Sequence, residues 1–169
     1  MWLKENKMKK RIIALAAVLI MALTVMTGCG GVDDIDISAY GDATLTLSGI
    51  QDEDIVLTIA DLKAMECETI KTESTSDKIG EVRATGPWLD TILEQYGCTQ
   101  EDFHKIKFYG DDQYDVNLYT DYLAEHPIML AYGIDGQPLD EESAPLRIII
   151  RNSDSAYWVR LVTKIEFEK

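Results

Sequence analysis

Residues 128–150, IMLAYGIDGQPLDEESAPLRIII, constrain the fold more than any other stretch of the chain. Two runs rich in Ile, Leu and Ala, 128–134 and 146–150, have the length and composition of buried strands, and Asp135-Gly136 gives the first a sharp exit. The intervening residues 137–145 are polar and too many for a tight hairpin, so they must cross the surface. The pattern predicts the centre of a sheet with a loop beside it, and loops carried by rigid strands are where sites concentrate.

The rest of the chain reads as short elements in mixed order. Thr44-Leu45-Thr46-Leu47-Ser48 alternates polar and apolar as a half-buried strand does, and residues 55–59 repeat the pattern after a turn at Asp52-Glu53-Asp54. One or two helical turns follow at 60–65. Residues 68–76 fit an exposed strand or a loop, and 79–84 fit another strand. Gly86-Pro87 opens the clearest helix, with Pro87 expected at its first position, an apolar stripe of Trp88, Leu89, Ile92, Leu93 and Tyr96, and Gly97 as its stop. Strands at 106–109 and 114–118 flank a turn, a short helix follows at 120–124, and 157–167 supplies the last long strand. Without regular βαβ alternation or an internal repeat, the fold class is α+β, a mixed, strand-rich sheet domain with short helices.

The N-terminus carries an address. Lys4, Lys7, Lys9, Lys10 and Arg11 precede an apolar run at 12–25, which is short for a membrane span, and Met26-Thr27-Gly28-Cys29 closes it as a bacterial lipoprotein signal does. Met8 is a second candidate start. Three regions follow from this: 1–28 a signal peptide, 29–42 an acidic tether, and 43–169 the domain. Cys29 is the expected lipidation site, and its lipid the membrane partner, holding the domain on the extracytoplasmic face of the cell membrane. The leader carries five cations and one acid, so the chain beyond it has a net charge of −18, against −14 for the whole. That balance excludes nucleic acid as a partner and keeps the domain off anionic head groups. An envelope protein or a small anionic ligand remains.

Catalytic signatures are few. The chain has no GxSxG, P-loop, HExxH or GxGxxG, and Asp52-Glu53-Asp54, Asp111-Asp112 and Asp140-Glu141-Glu142 lack the spacing of a calcium loop and read as solvated turns. Cys67 and Cys98 are open to a disulfide or to two separate thiols, each following a helix. Arg147, between Leu146 and Ile148 near the start of a buried strand, must find a partner or bind an anion.

Several segments together resemble a known family. VLTIADL at 56–62, Gly86-Pro87-Trp88-Leu89 with Ile92-Leu93, LAYGIDGQPL at 130–139, Ala144-Pro145-Leu146-Arg147, Trp158-Val159-Arg160 and Lys164-Ile165-Glu166 resemble, in order and spacing, the molybdopterin-binding domain of sulfite-oxidase-type oxidoreductases. The resemblance implies that family's mixed α+β fold, whose active members hold a molybdenum dithiolene cofactor in a cleft. By the same resemblance Arg147 matches a cofactor-binding arginine and Arg160 a basic position after it, and the cofactor cleft is bordered by Ser74, Asp112, Tyr114, Arg147, Tyr157 and Arg160. The family's cysteine ligand to molybdenum has no counterpart in register, since Ser74 stands nearest to its place and Cys67 lies seven residues earlier. Where the family has a glycine, an aromatic and a lysine, this chain has Ser155-Ala156-Tyr157. A neutral hydroxyl does not replace a thiolate. The expectation is therefore a ligand-binding or interaction module without molybdenum chemistry and with no cofactor. The alternative is an active molybdopterin-dependent oxidoreductase using Ser74 or Cys67, and a purely structural envelope role stands beside both. The absence of a twin arginine from the leader favours the module.

Overall fold

In a computed structural model, the described residues are 31–76 and 79–169. The expected signal peptide and Cys29 lie outside them. Residues 31–169 form one compact unit, and no helix among the described residues is long and apolar enough to cross a membrane.

Local pattern builds the first sheet. β1 (Thr44–Ser48) and β2 (Ile55–Thr58) pair as a hairpin, Thr44 opposite Thr58 and Leu47 opposite Ile55. β5 (Lys105–Gly110) and β6 (Asp115–Tyr119) form a second hairpin. β11 (Val162–Glu168) joins them, parallel to β1 and antiparallel to β5, giving the order β2-β1-β11-β5-β6. Alternation turns Leu45, Leu47, Ile106, Phe108, Ile165 and Phe167 into the core, all essentially inaccessible.

Three short helices cover the core. α1 (Ile59–Lys63) starts one residue earlier than expected because Thr58 and Asp61 form a reciprocal capping box. α2 (Leu89–Leu93) buries Leu89, Ile92 and Leu93, and Gly97, at φ +74°, ends the turn that follows. Pro87 does not sit in its first turn. The carbonyl of Pro87 accepts from Leu130 N at 2.9 Å, so the backbone at 85–87 is held as sheet edge and the helix begins later. α3 (Thr120–Glu125) follows β6.

The stretch at 128–150 is a junction between sheets rather than the centre of one. β7 (Ile128–Ala131), wholly buried, pairs antiparallel with β10 (Arg147–Ile150), Ala131 opposite Arg147 and Ile128 opposite Ile150. The chain on its other edge bonds to the end of β4 (Val82–Gly86) and the residue after it, through Tyr132 N to Thr85 O and Leu130 N to Pro87 O. β8 (Gly133–Ile134) then enters a second sheet of order β3-β4-β8-β9, with β3 at Glu68–Thr72 and β9 at Gln137–Pro138. The close approach depends on Gly86, where an added Cβ would lie 2.0 Å from the Leu130 carbonyl oxygen. The strand expected at 157–167 is shorter at its start, because Ser155–Tyr157 is a 3-10 turn capped by Asp154.

Residues 31–42, expected as a free tether, lie on the domain. Ile35 and Ile37 are buried, and burying one such side chain contributes about 1.5–3 kcal/mol. Lys63 Nζ donates to the Ile35 carbonyl, Arg83 pairs with Asp33, and Tyr40 Oη donates to Tyr132 O while accepting from Leu139 N. Asp34 and Asp36 are the exposed half of an alternating pattern whose apolar half, Ile35 and Ile37, is buried. Cys67 and Cys98 are both free thiols, donating to the carbonyls of Leu62 and Leu93 respectively.

Candidate functional site

Three stretches distant in sequence, joined by Ile79 from a fourth, converge on one cavity of about 430 Å³, lined by residues that include Asp112, Tyr114, Asp140, Arg147, Ser155 and Arg160. The β5–β6 turn supplies Asp112 and Tyr114, with Gln113 in the left-handed region at φ +66° allowing the reversal. The surface crossing before β10 supplies Asp140 and Ser143, held where Ser143 N and Ala144 N donate to Asp140 O. The segment after β10 supplies Ser155, Trp158 and Arg160. It is tied back by Ile148 N to Val159 O at 2.8 Å and Val162 N to Leu146 O at 3.0 Å.

Arg147 is the centre of this site. Burial pushes its pKa down, the neighbouring Arg160 adds to that, and Asp140 opposes it; a guanidinium nevertheless stays charged at any ordinary pH. Its Nε is buried and has no hydrogen-bond partner among the described residues. A charged side chain that lines a cavity and keeps an unsatisfied donor is a place for an anion. Arg160 pairs only at 3.7 Å with Glu142, both of them largely exposed, so that pairing is weak and yields readily to a ligand. Across the cleft Tyr114 Oη donates to Ala156 O at 2.6 Å, joining the β5–β6 turn to the 3-10 turn.

Four of the six residues expected from sequence, Asp112, Tyr114, Arg147 and Arg160, line the cavity. Ser74 does not line it but sits directly behind, where its Oγ accepts from Ser155 N at 2.8 Å. Tyr157 turns to the ring of Tyr122, 5.1 Å between centroids, and away from the lining. The helical geometry of 155–157 decides this, since it places Ser155, not Tyr157, on the cleft side. Sequence reasoning missed Ile79, Asp140, Ser143, Ser155 and Trp158. Asp140 looked like part of a solvated acidic turn, and only Trp158, an indole next to a buried strand, carried a readable signal. A second cavity of about 450 Å³ around Trp88, Asp90 and Arg151 contains none of the expected residues, and its arginine is already stacked over Trp88 at 5.3 Å.

The sequence model of the oxidoreductase molybdopterin-binding domain matches residues 30–169. The chain belongs to that family. Comparison with curated proteins finds no match. Among solved structures, the sulfane dehydrogenase SoxCD from Paracoccus pantotrophus superposes with a TM-score of 0.63 at 18% identity, over 76% of this chain and 38% of that one. This chain thus spans well under half of that protein's length, and the likeness supports the fold alone. The mixed, strand-rich class expected from sequence is the fold of the molybdopterin-binding family.

Family membership overturns the expectation that no cofactor is held, for it points to molybdopterin. The expectation rested on the missing cysteine, on Ser155-Ala156-Tyr157 standing where the family has a glycine, an aromatic and a lysine, and on the leader; none of these removes Arg147 or Arg160 from the cleft. The donor set of this cleft suits the anionic part of that cofactor: Arg147 with its unpartnered Nε, Arg160, and the hydroxyls of Ser143 and Ser155. It offers a metal no thiol. Cys67 is absent from the lining, its thiol bonds to a carbonyl, and burial pushes its pKa up while Tyr132 and Lys63 pull it down less. Among the described residues no group of three His, Cys, Asp or Glu could hold a metal ion.

Proposed function

We propose that this domain is a molybdopterin-dependent oxidoreductase that holds its cofactor in the Arg147 cleft. One observation carries the proposal: an arginine with a buried, unpartnered Nε on the wall of a cavity of a size to take a ligand, within a chain of this family. Arg147 and Arg160 would grip the phosphate-bearing end, with Ser155 as a neutral donor. The cofactor, when bound, supplies oxygen-atom-transfer redox chemistry. The protein's share is to bind it, orient it and exclude water between the Tyr114 and Ser155 sides.

The test is the molybdenum and pterin content of the full chain purified from a host that makes the cofactor, by metal mass spectrometry and by fluorescence of the oxidised pterin. Near-stoichiometric pterin in the wild type and its loss in Arg147→Met are expected. A well-folded wild type without pterin, purified beside a family member that loads, would sink the proposal.

A second reading, a module that binds its ligand without turning it over, is favoured by the absence of a cysteine from the lining. Pterin with no molybdenum, or with molybdenum that no reductant or oxidant changes spectroscopically, is the outcome that selects it. We also propose that the chain is lipid-anchored at Cys29 on the extracytoplasmic face, on the strength of the leader's charge, apolar run and terminal cysteine. Mass spectrometry of the N-terminal peptide after expression in a bacterium should find a diacylglyceryl group on Cys29, and a chain still beginning at Met1 or Met8 in Cys29→Ala.

A further inference from the structure

We infer that Ser155 is an oxyanion donor of the cleft, presented by a chain of hydroxyls that runs from Ser74 through Ser76. The inference deepens the proposed function, because the oxyanion would be the cofactor's phosphate. A free phosphate or sulfate offers the same chemistry.

The argument is a count of hydrogens. A serine hydroxyl has two lone pairs and one hydrogen. Ser74 Oγ accepts from Ser155 N at 2.8 Å and from Ser76 N at 3.1 Å, which uses both lone pairs. Its hydrogen therefore goes to Ser76 Oγ, 2.8 Å away. Ser76 Oγ in turn lies 2.9 Å from Ser155 Oγ. Two arrangements remain for this last link, and an anion in the cleft selects one of them. When Ser76 donates to Ser155, the Ser155 hydrogen is free to donate to the ligand, and successive O–H bonds pointing one way polarise one another.

The surroundings fit this role. Ser155 lines the same cavity as Arg147 and Arg160, whereas Ser74 and Ser76 do not. The segment bearing the first two serines is pinned to the third by Thr75 N donating to Ser153 O at 2.9 Å. Asp112 and Asp140 also face the cavity, but both are exposed to solvent while Ser155 is half-buried. A neutral donor adds affinity for an anion without the cost of a second buried charge. The chain crosses 79 residues between Ser76 and Ser155, so no local motif announces it.

The experiment uses the full chain from a host unable to make molybdopterin, titrated with inorganic phosphate, and the same variants from a host that makes it, assayed for pterin. Ser155→Ala should weaken phosphate binding about tenfold, the effect of one lost hydrogen bond to a charged group. Ser155→Thr, which keeps the hydroxyl, should bind as the wild type does. Ser76→Ala should also weaken binding, although Ser76 does not line the cavity, and this separates an oriented chain from a lone contact. Should Ser155→Ala fail to fold, Ser76→Ala and Ser155→Thr carry the same contrast. Loss of pterin from Ser155→Ala identifies the cofactor phosphate as the ligand. Ser155-dependent phosphate binding with no pterin in any sample keeps the inference for a free oxyanion and removes the proposed function. Pterin and phosphate affinities unmoved by Ser155→Ala or by Ser76→Ala overturn the inference and leave the proposed function standing.

Discussion

The guanidinium carbon of Arg147 lies 5.9 Å from the centre of the Trp158 ring, and that indole is itself fixed, its Nε1 donating to Ile150 O and Ser153 Oγ at 3.0 Å each. A cation resting on a rigid aromatic wall loses little freedom when it captures an anion. In a cofactor-free chain, Arg147→Met should not lower the melting temperature, because it removes a buried charge that no salt bridge offsets. Phosphate affinity should nevertheless fall more than about tenfold, since a hydrogen bond to a charged group is worth ~1.5–3 kcal/mol. Calorimetric melting and a phosphate titration check the two halves separately.

Tyr114, on the cleft wall, joins the β5–β6 turn to the 3-10 turn with one hydrogen bond, to Ala156 O. Tyr114→Phe should cost about 1 kcal/mol of stability and speed the exchange of bound phosphate, seen in phosphorus NMR line widths. Slower exchange in the variant would show that the contact does not gate the cleft.

Gly86 is the point where β4 and β7 touch. Gly86→Ala puts a Cβ 2.0 Å from the Leu130 carbonyl oxygen, and that carbonyl belongs to a strand held on both edges. A loss of at least ~2 kcal/mol in urea unfolding is expected. Gly97→Ala, in open space but at φ +74°, should cost only about 1 kcal/mol.

Tyr40 ties the N-terminal segment to the loop that carries Asp140, bonding to Tyr132 O at 2.7 Å and to Leu139 N at 2.9 Å. Tyr40→Phe leaves the N–H of buried Leu139 without its partner, at a cost of ~1–3 kcal/mol. Hydrogen exchange at Leu139 should accelerate; exchange as slow as in the wild type would contradict the link.

The Cys67 thiol is held above its ordinary pKa, chiefly by burial. Its folded state keeps the proton longer than the unfolded state does, so the associated stability is present below the ordinary thiol range and is lost as pH rises through the raised value. Alkylation of Cys67 at pH 8 should accordingly be slower than that of a free peptide thiol, and its pH profile displaced to the alkaline side. A fast reaction at neutral pH would instead mark a thiolate available to a metal.

The local hairpins β1–β2 and β5–β6 were legible in the sequence, because short turns of Asp, Gly and Gln join runs whose alternation fixes which side is buried. The helix at 89–93 was legible from its stripe, and the buried strands at 128–131 and 147–150 from their composition. Arg147 stood out for the same reason, as a charge within an apolar run, and it lines one cavity with Asp112, Tyr114 and Arg160. What only the tertiary structure decided were relations between distant segments: the parallel pairing of β1 with β11, the role of β7 as a junction, and the packing of Ile35 on the core. The exchange of Tyr157 for Ser155 at the cleft belongs with these. Such pairings are fixed by which surfaces remain uncovered once the hairpins have formed, and no period in the sequence records that. Ser74 and Ser155 meet across 81 residues; the sequence supplied the hydroxyls, and the fold alone aligned them.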